Sequence, residues 1–200
     1  MRDTQQYVFE GVRYPSPSEM NDHLGFGGGI ERIPPHILEA AAARGTRVHD
    51  WCESFLLGDP LPVPEAYDEE LRCSAFMDWM DETTPDVRGA ENVVVSHEHR
   101  IAGKLDILTA DEDGKLQIVD IKTGSSTKLY AGYYTQQAFY SIAVKEQYDL
   151  DYYPRRFILQ LPKNGSYKLR PLDNDEDYDV AKAMAKVMWR LIDEKLVRLD

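Results

Sequence analysis

Residues 116–124, "LQIVDIKTG", have the pattern of a buried strand that two charged side chains interrupt near its end. Side chains alternate between the two faces of a strand, so Leu116, Ile118, Asp120 and Lys122 share one face. That face begins apolar and ends charged, although burying an unpaired charge costs free energy. Two interpretations are open: a strand that ends in solvated charges, or a strand that leaves the core at a functional site.

Length and composition restrict the class of protein before any further motif is considered. The 200 residues are enough for one domain with a sizeable core, so we expect residues 1–200 to form a single domain. Hydrophobic residues make up 42% and charged residues 29% of the chain, as in soluble globular proteins. The chain has no apolar run of the roughly 18 residues that a membrane span needs, and its first residues lack a secretory signal. We therefore expect a cytoplasmic, intracellular protein with no membrane partner.

The cysteines argue against two kinds of metal site, and the net charge disfavours one kind of nucleic-acid binding. Cys52 and Cys73 have no zinc-finger spacing, and two cysteines are too few for an iron–sulfur cluster. The formal net charge of −12 disfavours broad, nonspecific attraction to nucleic acid. It is compatible with a local basic groove, or with carboxylates that bind phosphates through a cation.

The hydrophobic periodicity changes along the chain from that of helices to that of strands and back. We predict a short strand over 7–14, a turn over 14–20 and a flexible glycine-rich loop over 25–29. Helices are predicted over 36–57, 65–82, 131–146 and 175–197, and strands over 93–96, 101–109, 115–122, 155–161 and 167–171. This order predicts an α/β fold, in which a central mixed β-sheet is flanked by helices.

The predicted strand before "LQIVDIKTG" also carries one carboxylate in an apolar run, Asp106 in "AGKLDIL". Its simpler interpretation is a capped or solvent-facing carboxylate on an edge strand. Two hairpin-linked strands, joined by the "DEDG" turn, would instead bring Asp106 and Asp120 together. These oxygens and the Ile121 carbonyl are the ligand type that Mg²⁺ or Mn²⁺ requires. Lys122 would lie beside the ion, where it would orient or deprotonate a water or balance the charge of a phosphate.

Four motifs in this order resemble the PD-(D/E)XK nuclease superfamily, in particular its RecB-like exonuclease branch with the phage and mitochondrial genome maintenance exonucleases. The motifs are "ARGTRVHDWCE" with Gly45 and His49, the strand with Asp106, "DIKTG" with Asp120 and Lys122, and "TQQAFYSI" with Gln136 and Tyr140. Each motif is weak alone, but the four in order on a helix, two strands and a helix form a strong combined signal. The resemblance covers about residues 36–145, and "RYPSPSEM" is similar to the N-terminal segment of the phage and mitochondrial members.

The resemblance implies a restriction-endonuclease-like core. Within it, helices in 36–82 would cover the site, residues 91–171 would form the catalytic sheet and the QxxxY helix, and 175–197 would form a C-terminal helix. The implied catalytic residues are Asp106, Asp120, Lys122 and His49; the metal ligands are His49, Asp106, Asp120 and the Ile121 carbonyl; the substrate-binding residues are Gln136 and Tyr140. An imidazole ligand suits Mn²⁺ better than Mg²⁺.

The function implied is a Mg²⁺- or Mn²⁺-dependent deoxyribonuclease, most simply an exonuclease that acts on single strands or DNA ends in recombination, repair or phage DNA processing. The chain has no GxxxxGK[ST] motif, so a helicase or recombinase partner would be a separate protein. Such a protein would act inside the cell, and the resemblance is compatible with a phage-encoded one. The alternatives are a catalytically silent DNA-binding module with a nuclease fold, and an acidic interaction protein that mimics DNA.

Several neighbouring residues have two interpretations each. Glu91 resembles the glutamate that precedes the first central strand in the family, with Glu98 and Glu53 as competing candidates, and all three fit solvated surface charges equally well. Other candidates are the stacking tyrosines Tyr130, Tyr133 and Tyr134 and the basic residues Arg44, Arg47 and Lys128. Endonuclease action, an RNA substrate and a second metal ion are all compatible with the same motifs.

Overall fold

The computed structural model describes residues 6–26, 33–124 and 129–199. Its elements are β1 (Tyr7–Phe9), β2 (Val12–Tyr14), α1 (Pro17–His23), α2 (Pro35–Leu57), α3 (Tyr67–Thr83), β3 (Asp86–Ser96), β4 (Ile101–Ala110), β5 (Leu116–Lys122), α4 (Ala131–Gln147), β6 (Arg155–Gln160), β7 (Lys168–Pro171) and α5 (Glu176–Asp193). Within these ranges, no helix combines the length and apolar character that crossing a membrane requires.

The main sheet has five strands in the order β3-β4-β5-β6-β7, and β1 and β2 form a separate hairpin. β5 and β6 are parallel, whereas the other neighbouring pairs of the main sheet are antiparallel. Helix α4 makes the crossover between the two parallel strands, as this connection requires. The predicted α/β class with a mixed central sheet is confirmed.

Three stretches fold differently from the sequence prediction. The single strand predicted over 7–14 is instead the antiparallel hairpin of β1 and β2, which reverses at Glu10 and Gly11, both with positive φ. Residues 17–23 form a helix rather than the predicted turn: Ser16 and Glu19 make a reciprocal capping box, and Pro17 occupies the first turn. Strand β3 begins at Asp86, seven residues before its predicted start. Its first half is polar because it lies at the edge of the sheet, so it lacks the apolar pattern that identifies strands. Residues 27–29 of the predicted glycine-rich loop lie outside the described residues.

The sheet is covered by helices on both faces, and the alternation along β5 decides which residues meet which layer. Val119 and Ile121 pack in the layer with α2 and α3, which contains Trp51 and Phe76. On the other face, Ile118 packs with residues of α4. Helix α5 covers α4 in turn, through an apolar stripe of Tyr178, Ala181, Met184, Ala185 and Met188.

Two buried free thiols, Cys52 and Cys73, lie in the layer between α2, α3 and the sheet. Burial raises the pKa of both thiols, to about 12 for Cys73. They are neither paired in a disulfide nor grouped with other metal-ligating side chains within the described residues. Both cysteines are therefore part of the core.

A carboxylate joins α2 to α3. Glu69 of α3 is almost completely buried and accepts hydrogen bonds from the Arg47 guanidinium, at 2.5 and 3.1 Å, and from the Glu65 N–H at 2.9 Å. The Arg47 hydrogen bonds lower the pKa of the Glu69 carboxyl, although burial opposes them. Since α2 is the helix that carries His49, this pair also fixes the helix from which a candidate site residue projects.

Gly103 of β4 allows an unusually close approach of α4 and α1 to the sheet. A Cβ atom at this position would lie 2.8 Å from Cε1 of Tyr140 and 3.0 Å from Cδ of Pro17. Contacts this short require one of the elements to move. The absence of a side chain at residue 103 therefore lets three elements meet at one point.

We predict that Gly103→Ala lowers the free energy of unfolding by about 1–3 kcal/mol, because the added methyl group overpacks against Tyr140 and Pro17. Urea denaturation followed by circular dichroism measures the change. Gly124→Ala is the matched control, since a Cβ there meets nothing within 4 Å. Equal destabilisation of the two variants would contradict the close approach at Gly103.

We predict that Glu69→Gln lowers the urea midpoint at pH 7 and that its difference from wild type shrinks in acid. The folded-state pKa of Glu69 lies below its ordinary value of 4.5, so its stabilisation is complete above that value. The stabilisation is lost as the pH falls through the folded-state pKa. Glu39→Gln, at an exposed position of α2, is the control. A difference from wild type that stays constant from about pH 6 to about pH 3 would contradict this role.

Candidate active site

Strands β4 and β5 pair over only four residues each, from Ile107 opposite Val119 to Ala110 opposite Leu116. Beyond this ladder, β5 continues through Lys122 beside β6, and β4 continues towards its start beside β3. The two strands therefore separate at Asp106 and Asp120. Backbone N–H groups along the separated edge of β5 need other acceptors, because an unpaired buried donor is costly.

The side chain of Asp106 lies in the gap between the strands. Its Oδ2 atom accepts a hydrogen bond of 2.6 Å from the N–H of Ile121, in place of a backbone carbonyl of β4. Burial would raise the pKa of Asp106, but the His49 imidazole, the Lys122 ammonium and this hydrogen bond outweigh it and lower the pKa. The carboxylate is therefore ionised although it is largely shielded from solvent, with 14% of its side chain exposed.

His49 reaches Asp106 from helix α2. Its Nδ1 atom lies 3.4 Å from Oδ1 of Asp106. One turn earlier in α2, a Cβ atom on Gly45 would lie 3.3 Å from Oγ1 of Thr123, which directly follows β5. The small residue lets the helix approach the end of β5. The spacing of Gly45 and His49 thus has a geometric reason. Gly45 lets α2 lie close to the end of β5, and His49, one turn later, then reaches Asp106.

Lys122 has contacts on three sides. Its ammonium lies 2.7 Å from Oδ2 of Asp120, donates a hydrogen bond of 3.1 Å to Oε1 of Gln136, and lies 4.7 Å from the ring centroid of Tyr133. Burial lowers the pKa of Lys122, but Asp120 and Asp106 outweigh it and the pKa is raised. Burial, reinforced by Asp106, raises the pKa of Asp120, and Lys122 partly offsets this.

Gln136 and Tyr140 lie one turn apart on α4 and join Lys122 to helix α1. The Nε2 group of Gln136 donates to the Tyr140 hydroxyl at 3.3 Å and to the Ser18 hydroxyl at 3.5 Å. Ser18 is a site residue that the sequence analysis missed, because its segment was predicted as a turn. The S-x-x-E pattern beginning at Ser16 is the signal that would have identified the helix.

Glu91 of β3 lies opposite Asp106, since its neighbours Ala90 and Asn92 pair with Ile107 and Leu105. Its backbone has a φ of 50°, a left-handed conformation that costs a non-glycine residue about 1–3 kcal/mol. One ligand atom each from His49, Glu91 and Asp106 lie within 4.8 Å of one another.

The structure separates Glu91 from the two competing glutamates. Burial raises the pKa of Glu91, which lines one groove together with His49 and Asp106. Glu98 lies in the exposed β3–β4 turn, where its backbone N–H donates to Glu146, and neither Glu98 nor Glu53 is among the described residues that line that groove. Glu91 is therefore the glutamate that the fold brings to this site.

These side chains line a groove of about 720 Å³ to which β1, α1, α2, β3, β4, β5 and α4 all contribute. The imidazole and carboxylate oxygens of His49, Glu91 and Asp106 form a donor set that suits Mn²⁺ or Mg²⁺. Asp120 lines the same groove, with Oδ2 turned to Lys122. Ile121 reaches the site through its backbone, while its side chain is buried in the core.

Two of the three basic residues considered for phosphate contact, Arg44 and Arg47, pair with carboxylates. Arg44 lies 3.6 Å from Asp68, and Arg47 pairs with Glu65 and Glu69. Lys128 lies outside the described residues. Of the tyrosines, Tyr130 and Tyr133 form an edge-to-face pair with ring centroids 5.6 Å apart, and Tyr133 covers Lys122.

Comparison with known proteins agrees with this architecture. The sequence model of the PD-(D/E)XK nuclease superfamily matches residues 68–198. No curated protein matches the sequence. Among solved structures, a candidate exonuclease from Eubacterium rectale is similar with a TM-score of 0.58 and 18% identity, over 90% of this chain and 80% of that chain.

The alkaline exonuclease LHK-Exo from Laribacter hongkongensis is similar at 14% identity, with a TM-score of 0.41 over 78% of this chain and 86% of that chain. Its complex with dAMP gives a TM-score of 0.49 at 14% identity, over 90% and 89% of the two chains. The superfamily match, which spans more than half of the 200 residues, decides the assignment. This chain belongs to the PD-(D/E)XK nuclease superfamily.

Proposed function

We propose that this protein is a metal-dependent deoxyribonuclease that hydrolyses phosphodiester bonds. Membership of the superfamily supports a nuclease enzyme, and nucleases of this superfamily use divalent metals. The observation that carries the proposal is the gap between β4 and β5, where Asp106, Asp120, His49 and Lys122 meet in one groove. Carboxylate oxygens can bind a divalent cation, and an ammonium group beside them can stabilise negative charge on a phosphate, as phosphodiester hydrolysis requires.

The proposed metal ligands are His49, Asp106, Asp120 and the Ile121 carbonyl, with Glu91 as an additional ligand. The distances among His49, Glu91 and Asp106 support this set, and the lowered pKa of Asp106 keeps one carboxylate ionised over a wide pH range. A bound divalent cation would polarise the scissile phosphate and lower the pKa of a bound water.

The remaining residues have positioning roles in this proposal. Lys122 orients the attacking water and stabilises negative charge that develops on the phosphate. Asp120 and Gln136 hold its ammonium at 2.7 and 3.1 Å, so that the charge has one fixed location. Tyr140 supports Gln136 from the next turn of α4, and both side chains line the groove where a DNA strand would lie.

We extend the proposal to exonuclease action on single strands or DNA ends within a single domain spanning residues 1–200. A groove of about 720 Å³ has the size of a pocket for a small-molecule-sized unit, such as one or two nucleotides, rather than of a channel for a duplex. The motif resemblance suggests a role in recombination, repair or phage DNA processing. The protein would act in the cytoplasm beside a separate helicase or recombinase.

We predict that Lys122→Met and Asp120→Asn each lower the rate of DNA hydrolysis by at least about a hundredfold. The first removes the ammonium group that stabilises charge at the phosphate, and the second removes a proposed metal ligand that also holds Lys122. The measurement is a time course on end-labelled single-stranded DNA with Mg²⁺ or Mn²⁺, and with EDTA as the metal-free control. Both substitutions nearly preserve side-chain volume, so circular dichroism should match wild type.

Lys186→Met, at an exposed position of α5, is the matched control and should degrade DNA as wild type does. Wild-type rates in Lys122→Met would overturn the proposed site. Binding of DNA by wild type without any metal-dependent loss of substrate would indicate the silent binding module instead. Binding to a basic partner with no affinity for DNA would indicate the acidic DNA mimic.

We predict that linear DNA is degraded while a covalently closed circle of the same sequence survives, because the groove is expected to take a strand from its end. Agarose gels with both substrates in one reaction measure this directly. Nicking or linearisation of the circle at a rate similar to the loss of linear DNA would show endonuclease action.

A further inference from the structure

The groove carries far more negative than positive charge. Six carboxylates line it, whereas the ammonium groups among its described lining residues are those of Lys104 and Lys122. The carboxylates are those of Glu19, Asp22, Asp50, Glu91, Asp106 and Asp120. A DNA strand is a polyanion, and the formal charge of the whole chain is −12, so the surface as a whole repels it. A strand can enter this groove only where cations offset the repulsion.

Lys122 is poorly placed to contact an incoming strand outside the reaction centre. Its side chain is 19% exposed, and it is already in contact with Asp120, Gln136 and Tyr133. Lys104 is different: its side chain is 40% exposed, and its flexible stem projects from β4 two residues before Asp106, on the same face of the strand. Lys104 is therefore the ammonium group that a strand in the groove would meet first.

In this structure, Lys104 makes an ion pair with Glu91. Glu91 is also one of the three side chains whose ligand atoms lie within 4.8 Å of one another. A carboxylate that turns to a divalent cation is a weaker partner for an ammonium group, because the doubly charged ion competes for the same oxygens. The exchange does not require a buried ammonium group to reach solvent, because the Lys104 side chain is already 40% exposed.

Building on the proposed function, we propose that Lys104 is a DNA-phosphate-binding residue, which Glu91 holds in the metal-free protein and releases when Glu91 turns to a bound divalent cation. The release couples the two events: a site that has its cation also gains a free ammonium group for the strand. Metal binding and strand binding then favour each other, and the acidic groove excludes DNA until the groove has bound its cation.

The direct test measures the affinity for a short fluorescein-labelled single strand by anisotropy, with Ca²⁺ as the metal probe in place of Mg²⁺ or Mn²⁺. Lys104→Met should weaken binding about threefold to tenfold and reduce the slope of log affinity against log salt by about 0.7, the value for one lost phosphate contact. Lys104→Arg should restore the slope. The matched control is Lys186→Met, an exposed lysine outside the groove lining, which should change neither quantity.

Lys104→Met should have the opposite effect on the affinity for the metal. Calorimetric titration with Mn²⁺, without DNA, should show binding to Lys104→Met that is about twofold to threefold tighter than to wild type, because the competitor for Glu91 is gone. A substitution that only damaged the fold would weaken both the metal and the strand. Equal or weaker Mn²⁺ binding by Lys104→Met would overturn the exchange.

A second variant tests the exchange with Lys104 intact. In EDTA, Glu91→Gln should bind the single strand several-fold more tightly than wild type, because the ammonium group is released without a metal. The double variant Glu91→Gln/Lys104→Met should lose this gain. Equal affinities of Glu91→Gln and wild type in EDTA would overturn the proposed holding role of Glu91.

Different results would overturn the Lys104 proposal and the nuclease proposal. If wild type binds both Mn²⁺ and the strand, but Lys104→Met matches it in affinity and salt slope, the Lys104 proposal is overturned and the nuclease proposal stands. If wild type binds neither the metal nor the strand, the proposed function is overturned and the Lys104 proposal falls with it.

Discussion

The hydrogen bond from the Ile121 N–H to the Asp106 carboxylate is the contact on which the rest of the site depends. It gives the Ile121 N–H an acceptor at the place where β4 and β5 separate in the middle of the sheet. The same bond helps to keep the half-buried Asp106 carboxylate ionised. The charge is thus part of the sheet's own hydrogen-bonding scheme, which explains how an acidic centre can lie so close to an apolar core.

Side chains from both helical layers reach the gap that this bond maintains. His49 comes from α2, which packs on one face, and Gln136 comes from α4, which packs on the other. Both approaches depend on small residues, since Gly45 admits α2 to the end of β5 and Gly103 admits α4 to β4. Geometry at the site is therefore set by how closely the layers pack, as well as by the strand that carries the charges.

Much of this arrangement was predictable, because its residues lie on elements with strong periodicity. The faces of β5 and the α4 spacing of Gln136 and Tyr140 follow from alternation and helical repeat alone. The divergence of the strands, the left-handed backbone of Glu91 and its pairing with Lys104 have no signature in local periodicity. They arise from long-range packing. Helix α1 was missed for a different reason: proline and serine suggest a turn unless the capping pattern is recognised.

The buried thiols of Cys52 and Cys73 have a practical consequence for following DNA entry. Both are buried and burial raises the pKa of both, so we expect slow reaction with maleimides at neutral pH. A cysteine introduced at an exposed position near the groove would be labelled first, without removal of the native pair. A fluorophore attached there would give an optical signal from a chemically uniform protein whose core is untouched.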